Sequence, residues 1–347
     1  MSAVPKPSAT RQAYYDRIAK QNMTPLWESL HRLVPQTPEP QTVPAIWRYA
    51  QLRDLLMESG SVISAVDAVR RVLILENPGI PGQSSITSSL YAGLQLILPG
   101  EIAPSHRHTQ LALRFIIEGK SGWTAVDGER IPMAPGDYII TPSWTWHDHG
   151  NAQDGEPVVW LDGLDAPLML QLDAGFREDY PEMEQPIKHA DGYSFVRYGY
   201  NMLPVRHKPT SDNSPIHKYP YERSREALYK LHRMGELDAW DGVKLRYVNP
   251  ATGGYPMAAI APFLQLLPKG FKGKPYRTTE GTVFCVAEGR GTVKIGNQTF
   301  TFEPHDVFIA PSWQSVALEA PNEEVVLFSF SNRPVLDALG LWREERQ

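Results

Sequence analysis

LQLILPGEIAPSHRHTQ, residues 94–110, returns 170 positions later as LQLLPKGFKGKPYRTTE, residues 264–280. The apolar opening and the glycine-bearing turn persist, and the two histidines do not. The register holds outward from this pair. FIIEG (115–119) matches CVAEG (285–289) at the same offset, and GDYIITPSW (136–144) matches HDVFIAPSW (305–313) at 169. RVLILENPG (71–79) matches KLRYVNPAT (244–252), with the Asn-Pro pairs 172 apart. A register this steady marks a duplicated unit. Short β-branched and aromatic runs cut by Gly and Pro give each unit the texture of a sandwich or barrel.

Around the repeat the pattern is helical. Residues 10–33 carry apolar positions three and four apart, which predicts a helix, and a second helix is expected over 44–60. PQTPEPQTVP (35–44) and residues 203–220 read as proline-containing connections, and YERSREALYKLHRM (221–234) as a helix. The expected fold class is mainly β, with two β-barrel domains, an N-terminal helical arm and an inter-domain helical linker. The division is an arm at 1–65, a first barrel at 66–202, a linker at 203–242, a second barrel at 243–335 and a tail at 336–347.

The 347 residues are 42% hydrophobic with a formal net charge of −5, so the basic footprint of a nucleic-acid binder is missing. One cysteine, Cys285, allows neither an intrachain disulfide nor a cysteine metal site. No stretch reaches eighteen consecutive apolar residues and the N-terminus lacks the apolar core of a signal peptide, so no membrane association and a cytoplasmic location are expected.

Four of the ten histidines fall in two pairs, His106/His108 and His147/His149. On a strand, residues i and i+2 share a face, so each pair projects together. Imidazoles gathered this way suit divalent iron, zinc, nickel or copper. In the second copy the matching positions are Tyr276, Thr278 and Val316, so that copy is expected to be metal-free. Arg114, six residues beyond His108, shares its parity. Of the adjacent Arg70 and Arg71 only one can face inward.

From Gly100 the spacing is five residues, His106, one, His108, three, Ala112, six, Gly119. From Gly136 it is five residues, Pro142, one, Trp144, two, His147, three, Asn151. These two motifs resemble those of the cupin family, with Ala112 where a carboxylate ligand is usual and Trp144 where a glycine is usual. PSHRH, RFIIEG and PSWTWHDHGN in a chain of this length resemble the gentisate 1,2-dioxygenase family of bicupins, which includes salicylate and 1-hydroxy-2-naphthoate dioxygenases. The likeness runs from about residue 10 to 340.

That resemblance implies two double-stranded β-helix barrels and Fe(II) held by His106, His108 and His147. It implies a small aromatic 2-hydroxy acid and O2 as reactants, ring cleavage between the carboxylate- and hydroxyl-bearing carbons, and a homotetramer. Arg114, His149 and Asp162 are then expected beside the reacting groups. Arg70, Gln95, Tyr91, Gly93 and Trp146, with Arg114, are expected to line the substrate pocket. Gentisate, giving maleylpyruvate, is the first expected substrate, with salicylates and 1-hydroxy-2-naphthoate as alternatives. Another bicupin metalloenzyme or a ligand-binding bicupin without activity is the more distant reading.

Overall fold

The computed structural model describes residues 8–208 and 211–347. The first seven residues of the expected arm, and residues 209–210 of the expected linker, lie outside it. The chain divides after Glu39 into two units. In the first, the helix expected over 10–33 is two helices, Ala9–Ala19 and Leu26–Leu33. The break falls where Asn22 adopts a positive φ of 54° and Pro25 opens the next helix. Ser8 caps the first helix by accepting from the Arg11 amide at 3.3 Å.

The second unit holds both repeats, and each builds the same pair of antiparallel sheets. In the first barrel, one sheet runs Val72–Ile74, Tyr91–Ile97, Val158–Leu164, Ala112–Glu118, Tyr138–Thr141. Facing it are Ile102–His108, His147–Asn151, Gly122–Val126 and Glu129–Pro132. The second barrel repeats that order, from Val243–Arg246 and Ala261–Leu267 through Val325–Ser331 and Thr282–Glu288 to Val307–Ala310. Its facing sheet is Tyr276–Thr278, Val316–Ala320, Gly291–Ile295 and Gln298–Phe302.

Alternation along the strands assigns each apolar set to a layer. Ile97, Ile116, Ile139 and Trp160 fill one end of the first barrel. Phe284, Phe302 and Phe308 fill the second. The outward residues of the two large sheets pack on each other: Phe115 stacks on Phe328 with centroids 4.3 Å apart. Gly163 permits the approach, since a Cβ there would lie 2.7 Å from the Phe330 ring.

The boundaries differ from the sequence division. The duplication begins upstream of the barrels, and the two copies exchange edge strands. Ala45–Trp47, in the expected arm, pairs with Val307–Ala310 of the second barrel. Lys218–Tyr219, in the expected linker, pairs with Tyr138–Thr141 of the first. Each strand leads into a helix, Tyr49–Val62 or Tyr221–Arg233, and the contacts repeat. The Tyr49 amide donates to Asp306 and the Tyr221 amide to Asp137, at 2.9 and 3.0 Å. The Tyr49 hydroxyl and Arg53 bind Glu118; the Tyr221 hydroxyl and Arg225 bind Glu288. The expected tail likewise belongs to the second barrel: Glu344–Arg346 pairs with Tyr276–Thr278 as Arg177–Asp179 pairs with His106–His108.

Asp306 is 3% exposed and accepts from Arg48, the Tyr49 amide and the Glu303 amide. Asp306→Ala strands these donors and is expected to cost about 2–4 kcal/mol, read as a lower urea midpoint, with metal content unchanged. An unchanged midpoint would show that the exchanged strand adds little.

Candidate metal centre and its pocket

His106 and His147 face each other across the pair formed by Ile102–His108 and His147–Asn151. With His108 they place one ligand nitrogen each within 4.8 Å of one another. A carbonyl fixes each ring: Pro104 O lies 3.2 Å from His106 Nδ1, Gln110 O 2.9 Å from His108 Nδ1 and Thr145 O 2.9 Å from His147 Nδ1. At His108 and His147 the carbonyl at Nδ1 favours the proton there and leaves Nε2 free for a metal. At His106 the Arg70 guanidinium, a donor, lies closer to Nδ1 than the carbonyl does, so His106 takes that tautomer only once Arg70 turns away. No carboxylate joins the cluster among the described residues. Ala112, where the cupin pattern has one, is buried. Three neutral donors leave a bound divalent cation its full charge, which suits an anionic ligand.

Trp144 stands at the motif's glycine position with φ 58°, and its counterpart Trp313 with φ 62°. Glycine is favoured there because the turn is left-handed. Tryptophan accepts that conformation where its ring packs: Trp144 against Phe176 and Arg107, Trp313 against Arg277.

Beside the cluster lies a buried polar layer. Arg114 and Asp162 are opposite each other on adjacent strands. Arg114 Nη1 donates to Thr141 Oγ1 at 2.7 Å, Nη2 lies 3.3 Å from His149 Nε2, and Nε is 3.8 Å from Asp162 Oδ1. Asp162 accepts from the Trp160 indole at 2.9 Å, and its contact with Arg114 is an ion pair without a hydrogen bond. With Nε2 facing Arg114, the His149 proton sits on Nδ1, which has no hydrogen-bond partner among the described residues. A buried donor of this kind is set to meet a ligand or a water.

Arg70 Nη2 lies 2.7 Å from both Pro104 O and His106 Nδ1. Arg71 turns the other way, to Glu101 at 2.6 Å. Gly93 lies opposite Asp162, and Gln95 opposite Trp160 and Val72. The Tyr91 hydroxyl sits over Gly93, 2.8 Å from where a Cβ would be.

Trp146 is not with this group, which corrects its assignment to the pocket. It precedes His147 by one residue and so faces outward. Its ring lies 4.5 Å from the Arg107 guanidinium and edge-on to Tyr180. Thr141, the partner of Arg114, was missed by sequence reading; it shares inward parity with Ile139. The carbonyls that fix the imidazoles carry no sequence signal.

Burial, aided by Arg70, pushes His106 down to about 3, and burial pushes His108 down to about 4. Burial also holds His147 and His149 well below their usual value. Asp162 is pushed up to about 6 by burial, against the pull of Arg114. Burial also pushes Asp165 up to about 6. Unfolding frees the imidazoles to take protons near pH 6.5, so acid favours the unfolded state through them. The two carboxyls act oppositely, because the folded state takes their protons first. Four imidazoles outweigh two carboxyls. Metal-free protein is therefore expected to lose stability from about pH 6 to about pH 4, at most by about 3 kcal/mol per pH unit. Urea midpoints at pH 7 and 5 check this. Equal midpoints would show that the imidazoles are not held neutral.

A family model described as "Cupin domain" matches residues 93–163. The gentisate 1,2 dioxygenase 1 of Aquipseudomonas alcaligenes is 48% identical over 348 residues, covering 100% of both chains. The 1-hydroxy-2-naphthoate 1,2-dioxygenase of Nocardioides sp. (strain KP7) is 36% identical, over 97% of this chain and 88% of that one. The crystal structure of the salicylate 1,2-dioxygenase from Pseudoaminobacter salicylatoxidans as adducts with gentisate superposes with a TM-score of 0.93. It is 32% identical, over 100% of this chain and 96% of that one.

Proposed function

Because this chain belongs to the gentisate 1,2-dioxygenase family, we propose that it opens the ring of gentisate between the carboxylate- and hydroxyl-bearing carbons, giving maleylpyruvate with both atoms of O2 incorporated. The observation that carries this reading is the three-imidazole cluster without a carboxylate, set beside buried Arg114 and His149.

His106, His108 and His147 would hold ferrous iron. When bound, the iron supplies open positions for the hydroxy acid and dioxygen, and the redox chemistry that lets them react. The chain's own side chains orient and balance charge. Arg70 rests on His106 with no carboxylate partner among the described residues, so a substrate carboxylate draws it into a charge-assisted pair. Arg114 keeps a second positive charge in the layer, and Thr141 and Asp162 fix its plane. His149 offers its Nδ1 proton to a substrate oxygen and holds it there while negative charge develops. Tyr91 and Gly93 set the width available to the ring, and Gln95 adds an amide on the same face. The protein works as a homotetramer in the cytoplasm. The same chemistry on 1-hydroxy-2-naphthoate or salicylate is the second reading, supported by the relatives named for those acids.

Oxygen uptake by anaerobically Fe(II)-loaded protein, with gentisate, salicylate and 1-hydroxy-2-naphthoate offered separately, tests the proposal. Uptake is expected with gentisate, together with the ultraviolet absorbance of the ring-opened product. Uptake only with the other acids would transfer the activity to them.

A further inference from the structure

The mouth of the second barrel holds a half-open cavity of about 310 Å³ at the position that the imidazoles occupy in the first. Tyr276 stands where His106 does and Thr278 where His108 does; both line it. Val316, at the His147 position, is buried in the apolar cluster, and the space beside Tyr276 and Thr278 stays open. Lys244 and Arg246 replace Val72 and Ile74, and they face inward because they pair with Gln265 and Phe263 as Val72 and Ile74 pair with Gln95 and Gly93.

Most of the charge in this cavity is already balanced. Lys244 lies 3.3 Å from Asp241, and Arg346 lies 3.0 Å from both Asp238 and Glu344. Two donors are not matched by an anion. Arg246, at the rim, bonds the Gly253 carbonyl at 3.1 Å and stacks on Tyr255, with no carboxylate partner among the described residues. Tyr276 is 8% exposed, and its hydroxyl makes no hydrogen bond among the described residues. Burial keeps that phenol protonated, hence a donor. Glu280 accepts from Ser331 and, at 3.5 Å, from the Trp342 indole, and its two carboxylate oxygens retain acceptor capacity beyond these. Phe263 and Tyr255, edge to face at 6.3 Å, give an apolar wall.

We infer that this cavity is a metal-independent binding site for a small carboxylic acid that also carries a hydroxyl. Its carboxylate meets Arg246 and Tyr276, its hydroxyl meets Glu280, and its carbon body lies against Phe263 and Tyr255. A volume near 300 Å³ is at the small end of ligand sites and takes one ring or a short chain. A simple metal ion is disfavoured, because Asp241 and Glu344 are already held by cations and Glu280 alone of the lining carboxylates is left without one among the described residues.

Anaerobic equilibrium dialysis of the full-length protein tests this without turnover. Iron-loaded protein is expected to bind two gentisate molecules per chain, and His147→Ala one. In the His147→Ala background, Arg246→Ala is expected to weaken the remaining site at least tenfold, with partial recovery in Arg246→Lys. Phe263→Trp, which fills the cavity, is expected to abolish it. Arg246→Ala alone is expected to keep its iron and its gentisate turnover, which shows an intact fold. Comparing 3-hydroxybenzoate with malate tells an aromatic from an aliphatic hydroxy acid; tighter binding of either than of benzoate supports the site. Benzoate binding as tightly as both, no binding in His147→Ala, or a remaining site indifferent to Arg246→Ala and Phe263→Trp would overturn the inference.

Discussion

His147→Ala is expected to lose bound metal and to lower kcat/KM for gentisate by well over about 100-fold, since even the partners of metal ligands command 10- to 100-fold. His147 is 1% exposed and faces His106 directly across the strand pair. Without it two neutral imidazoles remain, and no carboxylate among the described residues joins the cluster to replace the third. The fold should survive, because the lost ring is neutral and the barrel's apolar end, with Ile116 and Trp160, is untouched. Metal analysis and far-ultraviolet circular dichroism separate the two effects. The matched control is Tyr276→Phe at the His106 position of the second barrel, where iron content should not change. Iron retained by His147→Ala would refute the ligand set.

Arg114→Met is expected to be the next most damaging change. Arg114 is 3% exposed, bonds Thr141 and faces Asp162 at 3.8 Å. Removing one member of a buried ion pair commonly costs 3–5 kcal/mol. Here the cost is bounded, because Asp162 already sits near 6 and can take a proton instead of staying charged. The expected loss is about 2–4 kcal/mol at pH 7, combining this protonation with the lost hydrogen bond. The sign with pH follows. Near pH 5 Asp162 is largely protonated in both proteins, so the difference between variant and parent should narrow. Gentisate turnover should fall by about 100-fold or more, a loss of about 3 kcal/mol in the transition state. A stability gap that widens on acidification would show that Asp162 is not the partner that matters.

The barrels and the imidazole cluster were legible because both are written in local periodicity. A strand's two-residue alternation places His106 with His108, and a steady offset near 170 copies the framework. The same alternation excludes Trp146, one residue before a ligand, from the pocket. The exchanged edge strands were not legible. IWRYAQLRDLL (46–56) and KYPYERSREAL (218–228) share only a Tyr, an Arg four residues later and a Leu three beyond it. What unites them is long-range: Tyr49 and Tyr221 each reach a carboxylate on both barrels. Their apolar periodicity marks helices and says nothing of where the preceding strand pairs. Arg70 could not be separated from Arg71 by pattern alone; Glu101, thirty residues on, takes Arg71 and leaves Arg70 to His106.

The most direct test of one metal-bearing and one metal-free barrel is the iron content of anaerobically loaded protein, measured with its gentisate-dependent oxygen uptake. One iron per chain, with uptake rising in proportion to it and vanishing in His147→Ala, is the predicted result. Two irons per chain, or uptake that persists without bound metal, would contradict it.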